Sequence, residues 1–224
     1  MPARIVPLVT EEYYHIFNRG INKQPVFLDA KDYKRAIEAM RFYALNPTIK
    51  LAKFFSFSNI EKQELLEKFE KENDDLVKLI CYCLMPNHFH FLLKQTKDFG
   101  ISKFMSNFQN SYTRYFNTKY GKFGPIFQGQ FKAVRVEDDN QLLHLSRYIH
   151  LNPYSSLVVK NLDKLVDYLW SSLPQYLSKV DNEVCDKEII LSSFQSKDKY
   201  RMFVFDNANY QRTLEAIKHL SLES

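Results

Sequence analysis

Hydrophobic spacing in the first third of the chain predicts one strand followed by two helices. Residues 13–17 predict a strand that ends in a turn, and Asp29 is placed to cap a helix over residues 30–45. Residues 61–78 carry seven acidic side chains, four lysines and only a thin apolar stripe. That segment predicts a short solvent-exposed helix inserted before the next strand.

The middle of the chain predicts a hairpin and then a long helix. Residues 79–85 form a continuous apolar run, which is typical of a buried central strand. Pro86-Asn87 predicts a turn, and residues 88–93 predict a second strand that runs back beside the first. Apolar residues then recur every three or four positions from Ile101 to Tyr120, so this segment predicts an amphipathic helix.

The remaining elements complete a recognisable order. Residues 126–136 predict a strand, and a helix is expected from Asp138 to about Leu151, ending at Asn152-Pro153. The order βαββαβ predicts an α+β fold: a ferredoxin-like antiparallel sheet with helices on one face, a final helix and a helical C-terminal extension. We predict a domain over residues 1–153, with the acidic insert at about 46–76, and an extension over residues 154–224.

Composition narrows the class of protein. The chain has 45% hydrophobic and 25% charged residues, which is ordinary for a globular protein. No apolar run is long enough to span a membrane, no secretory signal is evident, and three cysteines give no disulfide framework, so we expect a cytoplasmic protein. Glycine-rich phosphate loops of the nucleotide-binding types are absent.

Positive charge and aromatic rings together favour nucleic-acid binding. The net charge is +5, and the 224 residues include 19 Phe, 14 Tyr and 1 Trp. The segment from Lys97 to Arg135 contains seven basic residues and only one acidic residue. The residues we expect to contact phosphates are Arg19, Lys119, Lys122 and Lys132.

Two histidines offer a metal site. His88 and His90 are two apart on a predicted strand, so their imidazoles share one face while Phe89 points to the other. Two such side chains can bind one divalent metal, or they can be unrelated polar residues on an exposed face. A third ligand has to come from elsewhere in the chain.

The final helix can supply further chemistry. His144, Tyr148 and Asn152 form a polar stripe beside the apolar stripe of this helix. Tyr148 could act as a nucleophile on a phosphodiester or simply pack in the core. Asn152 could be a ligand or a helix cap, and His144 could be an auxiliary ligand or a general base.

These motifs resemble those of a known family. Met85-Pro86-Asn87-His88-Phe89-His90, followed by Tyr148-Ile149-His150-Leu151-Asn152-Pro153, is similar to the REP-associated tyrosine transposases. They belong to the single-tyrosine HUH transposases, in which HUH means His-hydrophobe-His. Further matches are Phe17-Asn18-Arg19-Gly20, the segment 124–132 and Tyr168-Leu169-Trp170-Ser171-Ser172. Gln130 departs from the pattern, since many relatives carry Arg there.

The resemblance implies a role for each matching residue. It implies that His88, His90 and Asn152 bind Mg²⁺ or Mn²⁺, and that Tyr148 forms a 5′-phosphotyrosine with single-stranded DNA beside a hairpin. It also implies a monomer or a homodimer. The DNA contacts expected from the matching segments and from the charge pattern are Asn18, Arg19, Lys119, Lys122, Gln128 and Lys132.

Two other functions remain open at this point. The same sheet also serves RNA-recognition domains, so the protein could bind hairpins without cutting them, although it lacks their aromatic string. A zinc hydrolase could use His88 and His90, but it would need a third His, Asp, Glu or Cys ligand and a general base.

Overall fold

The described part of the chain, which in this computed structural model covers residues 7–180 and 184–221, contains four antiparallel strands, nine α-helices and two short 3₁₀ helices (Ile21–Lys23 and Leu162–Asp167). The predicted absence of a secretory signal concerns residues 1–11, and the first six of these lie outside the described residues. The strands are β1 (Tyr13–Arg19), β2 (Val77–Met85), β3 (His88–Gln95) and β4 (Lys132–Arg135). The helices are α1 (Ala30–Ala44), α2 (Leu51–Ser56), α3 (Asn59–Glu72), α4 (Gly100–Tyr120), α5 (Asp139–Ser155), α6 (Leu173–Tyr176), α7 (Glu188–Leu191), α8 (Lys197–Phe205) and α9 (Ala208–Ser221).

The sheet has the strand order β2-β3-β1-β4, with every neighbouring pair antiparallel. The α+β class and the four-stranded antiparallel sheet are therefore confirmed. Helices α1 and α4 cover one face, where Phe108 of α4 packs edge-on against Phe89 and Phe91 of β3. Helix α5 lies on the other face, where Tyr148 contacts His90. The alternation of side chains along β3 thus separates a core face from a polar face.

Local sequence signals explain where the helices begin. The Asp29 side chain accepts hydrogen bonds from the backbone N–H groups of Lys31 and Asp32, so it caps α1 as predicted. Ser58 and Glu61 form a capping box at the start of α3. Helix α2 was not predicted, because its six residues are too few to show a helical repeat.

The predicted strand over residues 126–136 is shorter in the structure. Only Lys132–Arg135 pair with β1, and an isolated bridge joins Phe127 to Gly20. The backbone at Gly124 and Gly129 adopts positive φ values of 84° and 44°, which turn the chain out of a strand. Residues 124–131 therefore form a loop beside the end of β1.

Helix α5 extends past its predicted end at Asn152-Pro153, so that prediction is wrong. Pro153 lies inside the helix, which ends at Ser155. The proline lacks the N–H that would donate to the carbonyl of Ile149, so the helix loses one hydrogen bond. The helix still continues for another two residues, and the carbonyl of Asn152 accepts from Ser156 N–H and from the Ser155 hydroxyl. Asn152 is consequently a helical residue one turn after Tyr148.

The segment after α5 packs back onto the sheet and onto α5. The backbone N–H of Leu84 donates to the carbonyl of Trp170, and that of Ser172 donates to the carbonyl of Tyr82, so residues 168–172 cover the outer edge of β2. The division of the chain at residue 153 stays a prediction. Among the described residues, no helix is both long and apolar enough to cross a bilayer.

Candidate nucleic-acid cleavage site

Strand pairing brings polar side chains of β1 and β3 onto one face. Arg19 lies opposite His88 in the register, and Phe17 lies opposite His90. His15 is two residues before Phe17 and shares its face. The intervening Phe89 is fully buried against α4, as the alternation predicted.

The two motif histidines lie side by side. Their ring centroids are 5.0 Å apart with the planes at 90°. Nδ1 of His88 is 2.6 Å from Oδ1 of Asn87, and Nδ1 of His90 is 2.9 Å from Nε2 of His15. Because both Nδ1 atoms lie within hydrogen-bond distance of neighbouring side chains, each ring would ligate a metal through its Nε2.

Burial keeps the imidazoles of His88 and His15 neutral at physiological pH. It lowers the pKa of His88 to about 4; the positive charge of Arg19 lowers it further, and a hydrogen bond with Asn152 opposes the shift. Burial also lowers the pKa of His15 to about 4. A neutral imidazole has the lone pair that a metal ligand needs.

Helix α5 places a phenol and an amide against the histidines. The Tyr148 ring lies edge-on to His90 at a centroid distance of 5.7 Å and to His15 at 6.0 Å. Asn152 hydrogen-bonds both His88 and the Tyr148 side chain, and its Nδ2 also donates to the carbonyl of Tyr148 at 2.9 Å. The structure thus brings together the four residues that the sequence singled out.

The environment of Tyr148 sets its acidity. Burial raises the pKa of the phenol, and the negative charge of Glu215 in α9 raises it further. The hydrogen bond with Asn152 and the positive charge of Arg19 act in the opposite direction and lower the pKa. The phenol is therefore protonated at neutral pH and needs help to become a nucleophile.

The C-terminal helix also reaches this site, and no pattern in the sequence predicts that contact. Nε2 of Gln211 donates to the Tyr148 carbonyl at 3.0 Å and lies 3.4 Å from the Ser155 hydroxyl. Glu215 is one turn further along α9, on the same side of that helix. Neither residue belongs to a recognisable motif, so only their packing on α5 identifies them.

Three of the predicted DNA contacts lie beside the histidines. Arg19 is paired with His88 across the sheet, and Lys132 lies opposite Phe17, with its ammonium 6.0 Å from the Phe17 ring centroid. Gln128 is exposed, and its backbone N–H donates to the carbonyl of Arg19 at 2.8 Å. These side chains form a basic and polar rim at the end of β1.

The other predicted contacts have different surroundings. Lys119 donates to Asp29 and Asp32, so its charge is already neutralised. Asn18 is 6% exposed, on the opposite face from the histidines, and Lys122 lies over the Phe116 ring at the surface. His144 is exposed and 2.7 Å from a guanidinium nitrogen of Arg147, with no contact to His88 or His90 among the described residues.

Two further residues near the motifs are structural. Tyr112 of α4 is fully buried, and its hydroxyl donates to the carbonyl of Val26. His150 is also fully buried, with its ring nitrogens 2.7 Å from the hydroxyls of Tyr200 and Ser172. This histidine links α5 to the C-terminal segment and does not face the site.

The donor set suits a divalent cation. Two imidazoles and an amide oxygen can hold a divalent cation such as Mn²⁺, with the remaining positions left to water or phosphate. Within the described ranges, no group of three His, Cys, Asp or Glu side chains is arranged to hold a metal ion, because the third nearby imidazole, His15, contacts Nδ1 of His90 through its own Nε2. The third ligand required for the zinc-hydrolase alternative is therefore not supplied by these residues.

Comparison with known proteins finds similarity in sequence and in fold. Residues 52–152 match the family described as "Transposase IS200 like". The structure of a REP-associated tyrosine transposase bound to a REP hairpin superposes with a TM-score of 0.52 at 14% identity, covering 83% of this chain and 94% of that one. No curated protein matches the chain. The segment that matches the IS200-like transposases carries His88, His90, Tyr148 and Asn152.

Proposed function

We propose that this protein is a metal-dependent endonuclease and strand transferase that cuts single-stranded DNA beside hairpins. In this proposal, a ferredoxin-like sheet presents the metal ligands and Tyr148 forms a covalent 5′-phosphotyrosine. The main support for the proposal is that Tyr148 contacts His90 and that Asn152 contacts both His88 and Tyr148. The hairpin substrate is supported by the REP hairpin bound to the structural relative.

Different side chains would contribute to different parts of the transesterification. His88, His90 and the amide oxygen of Asn152 would hold a divalent cation, which when bound withdraws charge from a phosphodiester oxygen. Arg19 adds positive charge near Tyr148, which favours the phenolate over the phenol. The hydrogen bond from Asn152 acts in the same direction and couples the ligand set to the nucleophile.

The covalent step conserves the energy of the phosphodiester. The Tyr148 oxygen bonds to phosphorus, the bond from phosphorus to the 3′ oxygen breaks, and that oxygen takes a proton. The tyrosine proton passes to solvent. A second DNA hydroxyl can later displace the tyrosine by the reverse exchange, so no nucleotide cofactor is required.

A denaturing gel tests the proposal. Hairpin oligonucleotides labelled at the 3′ end are incubated with Mn²⁺, Mg²⁺ or EDTA, since the 5′-phosphotyrosine would retain the 3′ fragment. We expect a metal-dependent protein-sized band with the wild type and with Tyr154→Phe on the same helix, but not with Tyr148→Phe. Cleavage without this band would support hydrolysis. Native-gel binding without cleavage would support the non-catalytic module.

A further inference from the structure

A second basic site lies on the helix-covered side of the sheet, away from Tyr148. A cleft of about 730 Å³ opens between α1, α4 and the segment 46–52. We call it the helix-layer cleft. Because α4 packs on the face of β3 opposite His88 and His90, no residue of this cleft can take part in the transesterification.

One wall of the cleft is a polar stripe along α4. Successive members are three or four residues apart, so they share one face of the helix. At 1.5 Å per residue the stripe is roughly 22 Å long, which suits an extended ligand better than a compact one. Its members are Lys103, Asn107, Ser111, Arg114 and Thr118.

The charge of the cleft lining is positive, and the carboxylates that act on it lie outside that lining. Five basic side chains line it, and no carboxylate does. Lys119 is neutralised by Asp29 and Asp32, whereas Lys103 donates to the neutral Oδ1 of Asn46 and feels the charge of Asp74 only through space. In the described part of the chain, no carboxylate forms an ion pair with the other four basic side chains of the cleft. These four are Arg35, Lys50, Lys103 and Arg114.

Arg35 adds a buried donor that lacks an acceptor. Its guanidinium lies 3.5 Å from the Phe55 ring centroid and 5.3 Å from that of Tyr115, so the plane is held by aromatic packing. Its Nε is buried without a hydrogen-bond partner among the described residues. Such a donor in a basic cleft suits an anionic oxygen of a ligand.

We propose that the helix-layer cleft binds the sugar-phosphate backbone of a nucleic-acid strand, at a site separate from the strand cut by Tyr148. Elongation, positive charge and hydroxyl and amide donors together match a chain of phosphates. The site would hold flanking DNA while the opposite face performs the chemistry. Because neutralising these side chains removes phosphate contacts, binding there depends on ionic strength.

Fluorescence anisotropy with labelled oligo-dT of 20 nucleotides tests this inference, since that probe forms no hairpin. Lys50→Gln/Arg114→Gln changes two exposed cleft residues, and Lys68→Gln/Lys71→Gln changes two exposed lysines of α3. For the cleft variant we expect the dissociation constant to rise roughly tenfold and the salt slope to fall by about 1.4. The α3 variant should stay within about twofold of wild type.

Equal binding by the cleft variant and the α3 variant would overturn the cleft site. The outcome is independent of catalysis because the probe is scored by binding alone. If wild type forms no covalent adduct but the cleft variant still loses binding, the proposed function fails and the cleft site stands. If wild type forms the adduct and the cleft variant binds the probe as tightly as wild type does, the proposed function stands and the cleft site fails.

Discussion

Nε2 of His15 lies 2.9 Å from Nδ1 of His90, across the pairing of β1 and β3. A ligating histidine commonly donates from its other ring nitrogen to a neighbour that fixes its tautomer and orientation. Asn87 supplies such a neighbour for His88. His15 does the same for His90, so we assign it a positioning role.

Removal of the His15 side chain should therefore weaken metal binding without removing a ligand. For His15→Ala we expect the affinity for Mn²⁺ to fall by about 10- to 100-fold, as for other partners of metal ligands. His15→Gln keeps an acceptor and should retain most of the affinity. Calorimetric Mn²⁺ titration of the folded variants measures this directly, and equal affinities for wild type and His15→Ala would refute the positioning role.

Glu215 should control the pH at which Tyr148 reacts. Its negative charge raises the pKa of the phenol, so Glu215→Gln should lower that pKa. The rate of adduct formation should then rise at a lower pH than in wild type. The measurement is the pH profile of the initial rate, with Glu188→Gln in α7 as the control.

An unchanged pH profile for Glu215→Gln would show that the charge of α9 does not reach the nucleophile. A fall in rate at every pH would instead indicate that Glu215 mainly supports the packing of α9 on α5. Gln211→Ala distinguishes that case, because it removes the hydrogen bond to the Tyr148 carbonyl but no charge.

Burial of His150 should make the fold sensitive to acid. Burial lowers its pKa to about 3, against about 6.5 in an unfolded chain. Below pH 6.5 the unfolded state binds a proton that the folded state does not, so stability is lost as pH falls towards 3. His150→Gln should reduce the pH slope of the unfolding free energy by up to about 1.4 kcal/mol per pH unit.

Urea denaturation between pH 4.5 and 7.5 tests this effect of His150. The variant is expected to be less stable at pH 7, because it lacks the hydrogen bonds that the His150 ring makes with the hydroxyls of Tyr200 and Ser172. The diagnostic quantity is therefore the slope and not the absolute stability. Parallel curves for the two proteins would contradict the assignment.

Lys119 and Lys122, both predicted as DNA contacts, should behave differently. Lys119 binds the fully buried Asp32 carboxylate, which also accepts from the hydroxyls of Tyr115 and Tyr120. Lys119→Gln should therefore reduce the unfolding free energy by about 2 kcal/mol, between the values for exposed and buried pairs. Lys122→Gln should change it by less than about 0.5 kcal/mol. Equal urea midpoints would argue against this role of Lys119.

Local patterns predicted most of the fold because they carry its geometry. Alternation at His88-Phe89-His90 separated the two sheet faces, and helical spacing placed Tyr148 and Asn152 on one stripe. The length of β4 could not be predicted from the side-chain pattern, because Gly124 and Gly129 turn the backbone within a segment whose composition is otherwise typical of a strand. The helix end was missed because Pro153 costs a single hydrogen bond there.

The missed site residues share one cause. His15 reaches His90 only through strand pairing, and Gln211 and Glu215 reach Tyr148 only because α9 packs on α5. Such contacts between distant parts of the chain leave no periodic signal in the sequence. Lys119 shows the converse, because a charge expected to be available to DNA is neutralised by Asp29 and Asp32.

Mass spectrometry of the trapped adduct tests the central claim most directly. Wild-type protein is reacted with a hairpin oligonucleotide in Mn²⁺, digested with nuclease and protease, and the nucleotide-bearing peptide is sequenced. We predict a nucleotide linked through its 5′ phosphate to Tyr148, with unmodified Tyr112 and Tyr154. A nucleotide attached to any other residue, or cleaved DNA with no modified peptide, would contradict the account.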